Sequence, residues 1–220
     1  MIEIKNLRKA YDDQVIFEDF NLTVGKEIVG LIGANGTGKT TLFKCILGLI
    51  EFQGQITMSG INVAKHPLKA HKEIGYIPQY LPLWNEITVY ECVQFFCNLR
   101  KVNLKRGLEL LEFFDLKKHQ KKSISTLSGG MRQKLSIAIA LIPDPPILLL
   151  DEPTANLDAW ATKEVISTIN DWRGKKVVLF ASHRIEEIVT ISDRLVQISE
   201  GKAIHPNLDE LKINERRTTL

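Results

Sequence analysis

Apolar and polar residues alternate over the first part of the chain. The alternation begins at Ile2-Glu3-Ile4-Lys5 and resumes after an acidic pair. This pattern predicts two β-strands, over residues 2–8 and 15–24, with Tyr11-Asp12-Asp13 in the turn between them. A further short strand is predicted over residues 54–60, between two glycines. Together these segments indicate an antiparallel β layer.

Nearly continuous apolar runs follow at intervals along the rest of the chain. Residues 28–32, 147–150 and 176–181 are of this kind, which is typical of strands buried on both faces of a parallel sheet. Two more strands are predicted at residues 74–81, stopped by Pro78, and at residues 194–199. Segments with helical periodicity alternate with the strands, at residues 40–49, 128–141, 159–172 and 184–189. This alternation predicts an α/β fold with a mainly parallel central sheet flanked by helices.

The segment from residue 83 to residue 126 has a helical pattern throughout. Within it, Thr88 and Glu91 have the spacing of a capping box, in which two side chains bond backbone N–H groups at the start of a helix. We therefore predict one domain with an inserted part. Residues 1–82 and 127–220 form the α/β core with its antiparallel β part, and residues 83–126 form a helical subdomain.

Composition narrows the range of functions. The chain has 220 residues, 44% of them hydrophobic, and a net charge of +3, which gives no reason to expect a nucleic-acid partner. The basic run Lys117–Lys122 is interpreted as a solvated turn rather than a phosphate-backbone contact. The longest apolar run, Ile137–Ile142, is far shorter than the ~18 residues that span a bilayer. We expect a cytoplasmic protein that meets the membrane only through a partner.

The segment Gly33-Ala34-Asn35-Gly36-Thr37-Gly38-Lys39-Thr40 carries the strongest chemical signal. It has the G-x-x-x-x-G-K-[ST] pattern, lies between a predicted strand and a predicted helix, and so matches a P-loop. Its glycines let backbone N–H groups turn inward around phosphate oxygens, and the helix dipole favours the same anion. Lys39 would reach the β- and γ-phosphates, and Thr40 would bind Mg²⁺. The alternative is a glycine-rich turn with an exposed lysine. The predicted nucleotide-binding residues here are Gly33, Asn35, Gly36, Thr37, Gly38, Lys39, Thr40 and Thr41.

Two acidic residues, Asp151 and Glu152, follow the apolar run at 147–150. A carboxylate at the end of a buried strand near a P-loop can hold Mg²⁺, directly or through water, and we assign this role to Asp151. Glu152 can orient the attacking water or take its proton. Without the P-loop, a solvated strand end would explain the pair equally well.

The segment Leu127–Gln133 resembles the signature motif of ATP-binding-cassette (ABC) ATPases. The resemblance extends over essentially the whole chain, with the motifs in the family order. It implies a P-loop NTPase fold of the ABC-ATPase type, with ATP and Mg²⁺ as ligands. Other implied site residues are the adenine-stacking Tyr11, the Q-loop Gln79 (a catalytic and Mg²⁺ contact), the signature residues Ser128, Gly129, Gly130 and Gln133, the D-loop Asp158 and the switch histidine His183.

Each implied role has a physical basis and a plainer alternative. Ser128 with the following amides, at a helix N-terminus, can form a second anion site, although Ser-Gly-Gly alone would be an ordinary N-cap. Tyr11 can stack on a purine, or be a simple turn residue. His183 can bond a γ-phosphate oxygen or Glu152. The D-loop reads Ala155-Asn156-Leu157-Asp158, a small departure from the commoner family sequence.

The resemblance also implies partners. Family members form head-to-tail dimers in which the signature helix of one copy covers ATP held by the P-loop of the other, and this chain has one of each. The chain is thus identified as the ATP-binding, ATP-hydrolysing subunit of an ABC transporter of the export type. A second copy of the chain and a separate transmembrane permease are the expected partners, which would place it on the inner face of the cell membrane. The alternatives are a soluble ABC-fold ATPase of a non-transport assembly and a regulatory subunit that does not hydrolyse ATP.

Overall fold

The computed structural model describes residues 1–34, 36–79, 86–155 and 157–208. Its strands, in chain order, are β1 (Ile2–Tyr11), β2 (Gln14–Val24), β3 (Ile28–Ile32), β4 (Gln53–Met58), β5 (Ile61–Asn62), β6 (Ile74–Ile77), β7 (Ile147–Asp151), β8 (Val177–Ala181), β9 (Arg194–Ser199) and β10 (Lys202–Ile204). Its α-helices are α1 (Lys39–Ile46), α2 (Pro67–Ala70), α3 (Val89–Arg100), α4 (Leu104–Phe113), α5 (Gly129–Leu141), α6 (Ala159–Asn170) and α7 (Ile185–Ile191).

The strands form two sheets. One is antiparallel with the order β2-β1-β4-β5, and the other has the order β10-β9-β3-β8-β7-β6. In the second sheet only the β9–β10 pair is antiparallel. The predicted α/β fold, with a mainly parallel sheet, an antiparallel sheet and helices, is confirmed.

The parallel sheet positions the site. Strands β3, β8, β7 and β6 are neighbours and run in the same direction, so their C-terminal ends lie along one edge. All five residues of β7 and of β8 are buried, which explains why these strands appear in the sequence as continuous apolar runs. The loops that carry the predicted chemistry therefore leave the sheet side by side.

The described residues between β6 and β7 are mainly helical. Thr88 and Glu91 form the predicted capping box at the start of α3: Oγ1 of Thr88 accepts from the Glu91 N–H, and the Glu91 carboxylate accepts from the Thr88 N–H. Helices α3 and α4 approach closely at Gly107, where an added Cβ would lie 2.4 Å from Val93 Cγ1. Cys92 of α3 and Leu111 of α4 share one apolar core with residues of the parallel sheet.

Several predicted bounds differ from the observed ones. Tyr11 is the last residue of β1, paired with Gln14, and not part of the turn. Strand β4 covers Gln53–Met58 and not residues 54–60. At Gly54 (φ 97°), a Cβ would lie 2.3 Å from the Asn6 carbonyl oxygen. Helix α1 ends at Ile46, before the left-handed Gly48. No helix within the described ranges is both long and apolar enough to cross a membrane.

Candidate nucleotide site

The loop between β3 and α1 has the backbone that its glycines predict. Gly36 and Gly38 have φ values of 84° and 105°, a region that favours glycine. At Gly38, the N-cap of α1, an added Cβ would lie 2.7 Å from Ile16 Cγ2 and 2.9 Å from Phe17 Cζ. The loop therefore packs tightly on β2 at this point. Asn35, also predicted to bind nucleotide, lies outside the described residues.

Lys39 is folded back over the loop. Its Nζ donates to the carbonyl oxygens of Gly33 at 2.6 Å and of Ala34 at 3.2 Å. The Oγ1 of Thr37 also donates to the Ala34 oxygen, at 3.0 Å. The side chain of Lys39 is buried, so its ammonium is kept hydrogen-bonded at the point where α1 begins.

Asp151 ends β7 next to the first turn of α1. Its Oδ2 accepts from Thr40 Oγ1 at 2.9 Å and lies 3.5 Å from the Tyr76 hydroxyl. Burial raises the pKa of Asp151 and the Glu152 charge raises it further, against the lowering effects of the Thr40 and Tyr76 hydrogen bonds and the Lys39 charge. The positive charge around the Asp151 carboxylate is thus too small to offset the cost of burying it.

This arrangement fits Mg²⁺. A carboxylate and a hydroxyl are the hard oxygen donors that Mg²⁺ prefers, and a cation beside Asp151 would offset the cost of burying its charge. The described residues contain no group of three or more His, Cys, Asp or Glu that could hold a metal ion. Mg²⁺ at this place would therefore take most of its ligands from water and phosphate, which is its usual mode of binding in nucleotide sites.

Glu152 and His183 meet at the ends of two neighbouring strands. Oε2 of Glu152 lies 2.7 Å from His183 Nδ1 and accepts from the His183 backbone N–H at 3.2 Å. Glu152 is 8% exposed and has a φ of 50°, a backbone conformation that is uncommon for a residue other than glycine. The side chain of His183 is 53% exposed, so its ring faces the open side of the site.

These residues enclose a single cleft of about 330 Å³. The lining consists entirely of residues predicted from the sequence: Gly36, Gly38, Lys39, Thr40, Thr41, Gln79, Asp151, Glu152 and His183. Gly33 and Thr37 belong to the same loop but do not line the cleft. A cation, buried carboxylates, a partly exposed imidazole and loop amides therefore converge on one space, which is a suitable environment for a phosphorylated ligand.

The remaining predicted residues lie elsewhere. Ser128 is the exposed N-cap of α5, where Oγ accepts from the Met131 N–H at 3.3 Å. Asp158 is the N-cap of α6, where Oδ1 accepts from the Ala161 N–H at 2.8 Å. The two helix starts are close, since a Cβ on Gly130 would lie 3.0 Å from the Ala161 Cβ. The structure thus gathers Ser128 and Asp158 into a second group, outside the cleft.

The surroundings of Gln133 and Tyr11 differ from those expected of side chains that are free to contact a nucleotide. Gln133 is 9% exposed, and its Nε2 has no hydrogen-bond partner within the described part of the chain. Tyr11 is exposed, but the Lys9 ammonium lies 4.5 Å from the centre of its ring. Lys9 and Tyr11 are two positions apart on β1 and so lie on the same face of the strand.

Sequence reasoning missed Tyr76. Its hydroxyl reaches Asp151 because β6 and β7 are adjacent, with Tyr76 paired to Leu149. Burial, together with the Asp151 charge and hydrogen bond, raises the pKa of Tyr76 to about 12. No short motif marks this residue, and the contact depends on sheet order alone.

Comparison with known proteins agrees with this geometry. The ABC transporter family model matches residues 17–155. The lipopolysaccharide export system ATP-binding protein LptB of Haemophilus influenzae is 33% identical over 99% of this chain and 94% of its own length. The solved ATP-binding subunit of an ABC transporter superposes with a TM-score of 0.87 at 28% identity, covering 98% of this chain and 93% of its own. A dimeric ATP-binding cassette in a post-hydrolysis state, bound to ADP and Pi, gives a TM-score of 0.84 at 25% identity, covering 94% and 99%. The chain belongs to the ABC transporter family, as one of its ATP-binding proteins.

Proposed function

We propose that this chain binds ATP with Mg²⁺ in the cleft above α1 and hydrolyses it to power an ABC transporter. The observation that carries this proposal is the 2.7 Å contact of Glu152 with His183, in the same cleft as Lys39 and the Thr40–Asp151 pair. A site that only bound nucleotide would not need a carboxylate held by a histidine beside the phosphate loop.

The loop and α1 bind the phosphates in this proposal. The backbone N–H groups at the N-terminus of α1, from Gly38 to Thr41, face the anion. Lys39 exchanges its bonds to two carbonyl oxygens for bonds to phosphate oxygens, which are stronger acceptors because they are charged. Thr40, Asp151 and Gln79 would hold Mg²⁺. The ion, when bound, supplies positive charge against the phosphate oxygens.

Hydrolysis is assigned to Glu152 and His183. Glu152 accepts a hydrogen bond from a water molecule on the γ-phosphoryl side and takes its proton as the water oxygen attacks phosphorus. The bond between phosphorus and the β–γ bridging oxygen breaks, which leaves ADP and phosphate. His183 holds the Glu152 carboxylate in position through Nδ1. When the ring carries both protons, its Nε2 can also donate to a γ-phosphate oxygen.

Closure of the site is assigned to a second copy of the chain. Ser128, Gly129 and Gly130, with Gln133 behind them, present a helix N-terminus that does not line the cleft of its own chain. In a head-to-tail dimer this group meets the γ-phosphate bound by the other copy, and Asp158 lies beside it. Tyr11 stacks on adenine. Because the Lys9 ammonium lies over one face of the Tyr11 ring, either Lys9 moves away or adenine stacks on the opposite face. The solved relative that is dimeric and bound to ADP and Pi supports this arrangement.

Coupling to a separate transmembrane permease completes the proposal. The region 83–126 forms the docking surface, and the chain is cytoplasmic and peripheral to the membrane through that partner. Export is the proposed direction because residues 83–91 resemble export-type cassettes and the Haemophilus influenzae relative is named for lipopolysaccharide export.

Steady-state phosphate release tests the enzymatic part. Glu152→Gln is expected to lower the rate at least about 100-fold, the effect of removing a positioned base, while ATP binding is retained. Glu18→Gln, a change of an exposed glutamate on β2, is the matched control and should keep the wild-type rate. Equal rates for wild type and Glu152→Gln would refute the hydrolysis proposal.

A further inference from the structure

Glu187, on the first turn of α7, joins the two loops that carry Glu152 and His183. One of its carboxylate oxygens, Oε2, accepts a short hydrogen bond from Thr154 Oγ1. The other, Oε1, accepts from Arg184 Nη1 at 2.9 Å. Thr154 lies two residues after Glu152, and Arg184 directly follows His183. A single carboxylate therefore binds both loops, one through each oxygen.

The Thr154 contact is protected from water, since Thr154 is 1% exposed and the side chain of Glu187 is 11% exposed. The Arg184 contact is more open, because the Arg184 side chain is 39% exposed. Hydrogen bonds to a charged acceptor are shorter and stronger than neutral ones, and removing one partner of a buried pair leaves a polar atom unsatisfied. The Thr154–Glu187 hydrogen bond is therefore the stronger half of the link, and the Arg184–Glu187 ion pair is the more exposed half.

Helix α7 gives Glu187 a fixed base. Ile188 and Val189, which follow it, are buried. The helix lies on β3 at Gly30, where an added Cβ would be 2.3 Å from Ile188 Cγ2. Because α7 packs closely on the sheet here, this packing positions the Glu187 carboxylate.

The His183 ring, in contrast, has little packing of its own. Its side chain is half exposed, and the Glu152–His183 contact needs both loops at the correct distance. The Arg184 N–H donates to Ser182 Oγ at 3.0 Å, which fixes the other side of the histidine. The Glu187 contacts connect the same two loops as the Glu152–His183 contact.

We propose that Glu187 is a positioning residue for ATP hydrolysis, which holds the Glu152 loop and the His183 loop at the separation that the reaction needs. This inference rests on the proposed function. Glu187 does not line the cleft, so it acts through Thr154 and Arg184 and leaves nucleotide binding to the phosphate loop.

A plainer role for Glu187 is to stabilise α7. A negative charge in the first turn complements the helix dipole, and Glu186, its neighbour, is in the same turn. The exposed carboxylate of Glu186 bonds neither loop within the described residues. Glu186→Ala therefore removes a charge from the same turn without breaking the link, and is the matched control.

Steady-state ATPase kinetics of wild type, Glu187→Ala, Glu187→Gln, Thr154→Val and Glu186→Ala test the inference. Glu187→Ala and Thr154→Val are expected to lower kcat about 10-fold or more, since small misplacements of reacting groups have effects up to about 100-fold. The KM for ATP should stay within about twofold. Glu187→Gln can still accept from Arg184 and bond the Thr154 hydroxyl, so it should recover most of the rate. The double variant Glu187→Ala/Thr154→Val should be no slower than the slower single variant, because both substitutions break the same link.

Three results would overturn the inference: kcat near wild type in both Glu187→Ala and Thr154→Val, losses that multiply in the double variant, or an equal loss in Glu186→Ala. If Glu187→Ala does not fold, Thr154→Val takes its place. A kcat near wild type in Thr154→Val, or a kcat in Glu187→Gln as low as in Thr154→Val, would then overturn the inference. A wild-type chain without Glu152-dependent hydrolysis would refute the proposed function, and the inference with it. A normal Glu152→Gln defect combined with a normal Glu187→Ala rate would refute only the inference.

Discussion

The hydroxyl of Thr40 donates to Oδ2 of Asp151 across 2.9 Å, although the two residues are 111 positions apart in the chain. This bond connects the phosphate loop to the acidic end of β7. Asp151 is buried, and Lys39, whose charge lowers the pKa of Asp151, donates to the carbonyl oxygens of Gly33 and Ala34. Two consequences for stability and binding follow from this arrangement.

The first prediction concerns the charge on Asp151. Because burial raises its pKa in the folded protein, the folded state holds the proton more tightly than the unfolded chain, and stability falls as pH rises through these two pKa values. Asp151→Asn should therefore raise the Tm at pH 7 while lowering the Mg²⁺-dependent ATPase rate, a trade-off typical of functional sites.

Thermal unfolding from pH 3 to pH 8 checks this prediction. The difference in Tm between Asp151→Asn and wild type should shrink towards pH 3, below the ordinary aspartate value of 3.8. Asp13→Asn, a change in the exposed turn after β1, provides the comparison. A lower Tm for Asp151→Asn at pH 7 would show that its hydrogen bonds outweigh the cost of burying the charge.

The second prediction concerns Lys39. Lys39→Ala should weaken ATP binding by about 10- to 100-fold, as the loss of ~1.5–3 kcal/mol of charged hydrogen bonding implies. Titration calorimetry with ATP in the presence of Mg²⁺ measures the change. Lys44→Ala, in the last turn of the same helix and exposed, should leave the affinity unchanged. An unaltered Kd for ATP in Lys39→Ala would refute the phosphate-binding role assigned to this lysine.

The third prediction separates two glycines of the loop. Both have positive φ, but a Cβ at Gly36 meets no atom within 4 Å, whereas one at Gly38 meets Ile16 and Phe17. Gly36→Ala should cost about 1 kcal/mol of backbone strain. Gly38→Ala adds overpacking of about 1–3 kcal/mol, so its midpoint in urea denaturation should be clearly lower. Equal urea midpoints for the two variants would mean that β2 accommodates a methyl group at Gly38 with no loss of stability.

Local signals in the sequence predicted local structure well. Ser128, Asp158 and the Thr88–Glu91 pair mark helix starts because a side chain there bonds a free N–H two or three residues on, and all three caps are observed. The buried strands were predicted for a similar reason, since a strand covered on both faces needs apolar residues at every position. Of the residues that line the cleft, those of the phosphate loop and the acidic pair were predicted from local motifs, whereas Gln79 and His183 were implied by the family resemblance.

Contacts set by sheet order could not be predicted in the same way. The Tyr76–Asp151 contact requires β6 beside β7, and the Thr154–Glu187 link joins residues 33 positions apart. The pairing of Lys9 with Tyr11 follows from strand geometry, but only once Tyr11 is known to end β1 and not to lie in the turn. The left-handed Gly48 after α1 was a signal that could have given the earlier helix end.

The central claim is that one ATP site is completed by two copies of the chain. Light scattering of Glu152→Gln with ATP and Mg²⁺ tests it most directly, because a slow site keeps its nucleotide. With ATP, the mass should be twice that of the 24.9 kDa chain, and without ATP it should be that of a single chain. Adding Ser128→Arg to Glu152→Gln should abolish the dimer. A single-chain mass with ATP demonstrably bound would refute completion of the site by a second copy.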